Sequence, residues 1–194
     1  MPVAVQQPRP PRLKKWTQAE YLELVERGAF RNQRVYLFRG DIIELAPQSH
    51  PHEFAIMRLS RYLTSAFPEP FGVRIQLGFI APGQSVPEPD AAVCTWEDAV
   101  RKPHPVRAEL VVEVAYTSLR GDRLLAAEYA AARVPEYWII DTDGRRLEVY
   151  QSPAEDPAAP LGFSYADVRL LGADEVIAPA QRPDAPVSVA SFFP

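Results

Sequence analysis

The chain has 194 residues, an ordinary hydrophobic content and a net charge of −4. That length supports a domain with a sizeable core and excludes disorder throughout; no apolar run reaches a membrane span or a signal-peptide core, and binding of nucleic acid by bulk positive charge is excluded as well. The single cysteine, Cys94, excludes an intrachain disulfide framework and a Cys-rich zinc site, and makes a reducing cytoplasm the expected location.

Residues 1–13 (MPVAVQQPRPPRL) are Pro-rich and read as a flexible tail, leaving 14–194 as one domain. Thr17 is placed as an N-cap, with Glu20 completing a capping box and Gly28 as a stop signal. RVYLF and IIELA flank Gly40 and Asp41 as a hairpin. Ser49 is placed to cap a helix through HPHEFAIMRLSRYLTSAF, with Phe54, Met57, Arg58, Tyr62 and Leu63 in helical register, ended by Pro68 and Pro70. Three strand candidates follow: GVRIQLGFIA, DAAVCTW and AELVVEVAY. SLRGDRLLAAEYAAARV reads as a helix with Leu125, Tyr129 and Ala132 on one face, stopped by Pro135. EYWIID and RLEVYQ flank the hairpin signal TDGR, SPAEDPAAPLG reads as a loop, and FSYADVRLL, a short strand near Val176 and VSVASFFP complete the chain. This order implies a mixed α/β sheet, and no internal repeat interrupts it.

The chemistry concentrates in carboxylates. On a strand alternate residues share a face, so Glu109, Val111, Glu113 and Ala115 point one way and Leu110, Val112 and Val114 the other. Glu113 is therefore walled by apolar residues, and a buried carboxylate needs an arginine, a proton or a metal ion to balance it. An exposed sheet face with Glu113 paired to arginine is the plain structural account. Asp90 opens the preceding strand after Pro87 and Pro89. If the two strands are neighbours, Asp90 and Glu113 converge at one end of the sheet. Two carboxylates with a carbonyl and waters suit Mg²⁺, which can activate water and stabilise charge on a phosphodiester. His50 and His52 flank a proline at a helix start, where capping or solvent contact is the commoner role. There is no GxGxxG, P-loop or GxSxG motif, and RGD occurs twice, at 39–41 and 120–122, as a short tripeptide recurs by chance. Tyr137 and Trp138 read as core.

The ordered combination PEPDAAV, ELVVEVAYTSLRGDR and EYAAARVPEYWIID resembles the Uma-two family, restriction-endonuclease-like proteins within the PD-(D/E)XK superfamily. RVYLFRGDIIELAPQSHPHE resembles the family's N-terminal hairpin and following histidine, VRIQLGF its pre-PD strand, and VSVASFFP its usual ending, so the resemblance covers about residues 17–194. It implies a restriction-endonuclease-like sheet core with flanking helices and added hairpins, a Mg²⁺ or Mn²⁺ site, and hydrolysis of phosphodiester bonds in DNA. Asp90 matches the PD aspartate and Glu113 the (D/E) position, as metal ligands. Gln76, His52 and Arg123 are accessory candidates, and a homodimer is the expected assembly.

The sequence departs from the family where the family carries its lysine, four residues before the tyrosine matching Tyr129: that position is Leu125, and counting forward from Asp122 gives Ala126. The only lysines are Lys14, Lys15 and Lys102. Tyr36 stands where the family often has Glu, and Arg133 where it has Gly. Loss of a charge-stabilising group typically costs on the order of 10²–10³-fold in rate. Two readings follow: a metal-dependent endonuclease weakened by the missing lysine, and a non-catalytic member of the fold that binds nucleic acid or dimerises. The side chain at 125 or 126 is expected to approach the carboxylates.

Overall fold

Local signals place the first elements. In the computed structural model, which describes residues 12–194, Thr17 caps α1 (Gln18–Glu26), and both halves of the capping box with Glu20 are made. Gly28 follows the helix with φ +74°, a conformation glycine adopts without a Cβ penalty. β1 (Val35–Phe38) and β2 (Asp41–Glu44) pair antiparallel around Arg39 and Gly40, both at positive φ, as a type I′ turn requires. The proline-rich tail reading falls, for residues 1–11, outside the described residues.

α2 (His50–Ala66) starts at Ser49, but the serine side chain makes no capping bond. Its inward face is Ala55, Leu59, Leu63 and Ala66, not the register expected from Phe54, Met57 and Arg58: Met57 is 72% exposed. The small alanines let the helix lie close to the sheet, and Met57 and Arg58 turn outward.

β3 (Phe71–Ile75), β4 (Ala91–Thr95), β5 (Leu110–Ala115), β6 (Glu136–Asp141), β7 (Arg146–Glu155) and β8 (Phe163–Gly172) form one six-stranded sheet in that order. Only β5 and β6 run parallel, joined by α4 (Leu119–Ala131); all other neighbours are antiparallel. A short helix, α3 (Trp96–Ala99), follows β4. β3 is shorter than its apolar run suggests, because Gln76 turns to φ +51° and ends the strand. β7 is longer than expected: after an unpaired Ser152 at φ +60°, residues 153–155, read as loop, still pair with β8, and the connecting loop starts only at Asp156. Proline at 153 is tolerated because β6 no longer pairs with β7 beyond Gln151.

The alternation along β5 divides the core as read from the sequence. Leu110, Val112 and Val114 pack with α2 and the C-terminal residues Val189, Phe192 and Phe193, while Val111 and Ala115 pack with Leu125 and Tyr129 of α4. Tyr137 and Trp138 are fully buried. The β1–β2 hairpin leans on the α4 side: Tyr36 and Phe38 pack against that second core, and Arg39 pairs with Glu128 of α4 at 2.6 Å. β9 (Val176–Ile177) and β10 (Val187–Ser188) make a further two-stranded sheet before a closing 3₁₀ turn, Val189–Phe192. Among the described residues no helix is long and apolar enough to cross a membrane.

Candidate functional site

Asp90 lies one residue before β4, and the β4–β5 register (Ala91 opposite Val112) sets it opposite Glu113. Each carboxylate reaches across to the other strand's backbone. The Val114 N–H donates to Asp90 Oδ2 at 2.8 Å, and the Asp90 N–H donates to Glu113 Oε2 at 3.2 Å. The ladder between the two strands stops at Ala91 and Val112, so side-chain oxygens take over as acceptors where main-chain carbonyls leave off. The remaining oxygens are held too: Tyr129 Oη donates to Glu113 Oε1 at 2.9 Å, and Gln76 Nε2 to Asp90 Oδ1 at 3.2 Å. The partners of Glu113 are thus a hydroxyl and an amide rather than an arginine. Each of these four oxygens keeps lone-pair capacity for a further ligand.

His52, in the first turn of α2, brings Nε2 to 3.2 Å from Asp90 Oδ1. The atoms are close enough for an ion pair but not aligned for a hydrogen bond, so this buried nitrogen has its hydrogen-bonding capacity unmet, as does Ser49 Oγ. Burial works to lower the His52 pKa; Asp90, the Val114 carbonyl and Asp122 outweigh it and raise the imidazole above its ordinary 6.5. When protonated, His52 can serve as a positive partner of Asp90.

A third carboxylate joins them. Asp122, one turn into α4, is buried and accepts from Ser118 Oγ at 2.7 Å. Burial, with the Asp90 charge, raises its pKa to about 7 against the opposing pull of Ser118 and His52. Burial likewise pushes Glu113 well above the usual carboxyl range, helped by the charges of Asp90 and Asp122, and Tyr129 and the Asp90 N–H only partly offset it. These groups border one cavity of about 150 Å³, whose rim also carries Glu88 and Arg34, 4.0 Å apart. Among the described residues no three His, Cys, Asp or Glu side chains converge closely enough to form a metal site by themselves.

Asp90, Glu113, Gln76 and His52 are therefore gathered as the sequence reading grouped them. Arg123 is not: its guanidinium is committed to Glu148 on β7, with Nε 3.0 Å from Oε2, and does not line the cavity. Asp122, Tyr129 and Arg34 were missed. Asp122 and Tyr129 lie seven residues apart on α4, two helical turns along one face, so their spacing was an available signal. Leu125, between them, is buried in the apolar core, and Ala126 is half-buried beside it. Tyr36 lies near enough for the charges of Glu113, Asp122 and Glu128 to add to the effect of burial in raising its hydroxyl to about 12.

A family model described as Uma2, putative restriction endonuclease, matches residues 18–181. Among solved structures, a putative nuclease belonging to DUF820 from Anabaena variabilis is similar over 91% of this chain and 97% of that one, with a TM-score of 0.71 and 15% identity, which speaks to the fold alone. The type IIG restriction endonuclease BpuSI is similar over 64% of this chain but 14% of its own, at 13% identity and a TM-score of 0.37, too low to carry an argument. No curated protein matches the chain.

Proposed function

The chain belongs to the Uma2 family, and from that membership and its buried carboxylates we propose that it hydrolyses phosphodiester bonds in DNA with a divalent cation, Mg²⁺ or Mn²⁺. The observation that carries the reading is the cross-strand placement of Asp90 against Glu113 at the mouth of a polar cavity. The donors fit a hard cation: carboxylate oxygens with unused lone pairs, beside an imidazole nitrogen that lacks a hydrogen-bond partner. Asp90 and Glu113 would hold the ion, with water filling the rest of its shell. Such an ion supplies Lewis acidity toward a phosphoryl oxygen and a more acidic bound water.

The chain's own residues do the rest. Tyr129 and the Asp90 amide fix the Glu113 rotamer, and Val114 and Gln76 fix Asp90, so the carboxylates are positioned before any ligand arrives. Arg34 provides the guanidinium at the cavity rim and is the group suited to a phosphate of the DNA strand. Asp122, its pKa raised to about 7, is placed to take up or release a proton near neutral pH, and His52 stands beside Asp90. The cytoplasmic location expected from the lone cysteine belongs to this reading as well.

The second reading, a non-catalytic member of the fold, is favoured by one feature: the family's lysine position is Leu125, 5% exposed in apolar surroundings. Plasmid nicking with Mg²⁺ or Mn²⁺ separates the two. On the enzymatic reading, cleavage is measurable and Asp90→Asn and Glu113→Gln each abolish it. Ala126→Lys, one turn beyond Asp122, is expected to raise nicking by about tenfold or more, and the gain vanishes when Glu113→Gln is added. Leu125→Lys is a poorer restoration because it drives an ammonium into a packed core. Metal binding by calorimetry without nicking by the parent or by Ala126→Lys would favour the non-catalytic reading; absence of metal binding would defeat the metal site altogether.

A further inference from the structure

β8 closes one side of the six-stranded sheet and pairs only with β7. An edge strand presents a row of backbone N–H and C=O groups without ladder partners, and proteins commonly blunt such edges with Lys or Pro. β8 contains neither. Its middle reads Ala166-Asp167-Val168-Arg169-Leu170, every residue exposed, and Val168 and Leu170 are each 58% exposed. Val168 and Leu170 lie opposite Tyr150 and Glu148 of β7, forming an apolar stripe on the α4 side of the sheet.

We infer that β8 docks against β8 of a second copy of the same chain, antiparallel, about a two-fold axis passing through Val168. The register follows from charge. Residues directly opposite one another share a face of the sheet, and like charges placed there are destabilising. With the axis at Val168, Asp167 of each copy meets Arg169 of the other, Ala166 meets Leu170, and Val168 meets its own counterpart. An axis at Asp167 sets aspartate against aspartate. An axis at Arg169 sets arginine against arginine. An axis between two residues sets charge against apolar side chains. Only the first register matches every residue of the segment with a compatible partner. Within the chain, Arg169 Nη2 makes one exposed contact, 3.2 Å to Gln151 Oε1, which leaves its remaining donors for an aspartate across the axis. The inference stands apart from whether the carboxylate cavity cuts DNA.

Sedimentation velocity on the full chain at micromolar concentrations tests it. The parent protein is expected to dimerise. Asp167→Arg and Arg169→Asp each turn two attractive pairs into two repulsive ones, and each is expected to weaken the dimer by at least about tenfold. An equimolar mixture of the two variants is expected to dimerise again, because each then carries the charge the other lacks; so is the double variant Asp167→Arg/Arg169→Asp. Recovery in the mixture also shows that both variants fold. A monomeric parent, single variants that dimerise as well as the parent, or a mixture that stays monomeric would overturn the proposal.

Discussion

At the residue scale the site is a set of acids kept close by burial rather than by neutralising cations. Asp122 shows what this does to the protein. Its carboxyl titrates near 7 instead of its ordinary 3.8, first because it is buried and next because Asp90 is near. A carboxyl whose pKa is higher in the folded state binds its proton more tightly when folded. Its stabilising contribution is complete below about pH 4 and is lost as pH rises to about 7. Glu113 acts in the same direction. The metal-free protein is therefore expected to lose stability across that window. Asp122→Asn keeps a side-chain acceptor for Ser118 and removes the charge; urea denaturation should find it more stable than the parent by about 1–3 kcal/mol at pH 8 and nearly equal at pH 4. Equal pH dependence in both proteins would refute this account. Asp90 and Glu113 were legible in the sequence because a strand's alternation exposes a carboxylate among apolar neighbours. For Asp122 the seven-residue spacing from Tyr129 was the one signal, and it was weak, since a polar residue in the first turn of a helix is ordinarily a solvated one and its burial comes from the cavity wall that distant residues build.

At the element scale the β1–β2 hairpin is more than an appendage. Arg39, in the turn, pairs with Glu128 on α4, and Glu128 is completely buried while Arg39 is about one-third exposed. The two partners are therefore unequal. Arg39→Ala strands a buried carboxylate and is expected to cost about 3–5 kcal/mol of stability; Glu128→Gln leaves a half-solvated guanidinium and should cost less. Adding Glu128→Gln to Arg39→Ala should recover part of the loss, measured by denaturant midpoint; a double variant no more stable than Arg39→Ala would show that the buried charge is not the source. The hairpin itself could be read from Gly40 and the flanking apolar runs. Its docking on α4 could not, because the pairing spans 89 residues and neither partner advertises the other. The face of α2 was misread for a related reason: Ala55 and Ala66 are the close-contact positions, and the larger Met57 drew the sequence-based register around the helix.

At the scale of the whole molecule, two apolar layers sandwich the sheet, and the C-terminal residues seal one of them. Phe192 and Phe193 pack with α2, and buried Glu136 accepts the Ala180 N–H at 2.7 Å, fastening the last segment to the start of β6. The parallel β5–β6 step goes with α4 lying between two apolar runs, in keeping with the mixed sheet the element order implies. The length of β7 did not follow, since Pro153 and the acidic residues after it look like loop, and only pairing with β8 holds them extended. The net charge of −4 disfavours binding of nucleic acid by bulk positive charge.

The handover from ladder to side chain between β4 and β5 makes two amides into built-in reporters. The Asp90 and Val114 N–H groups are the donors whose acceptors are the carboxylates themselves. Any event that draws electron density from those oxygens, such as protonation or capture of a dication, weakens both bonds at once. In an ¹⁵N-labelled sample, titrating Mg²⁺ or Mg²⁺-free acid should therefore move these two resonances well before those of the ladder residues Ala92 and Val111. Resonances that moved together across the whole sheet would instead mean that the strands shift as a body. A crossing point for chemistry would then also be a local seam in the fabric of the sheet, where main-chain continuity is exchanged for a chargeable stitch.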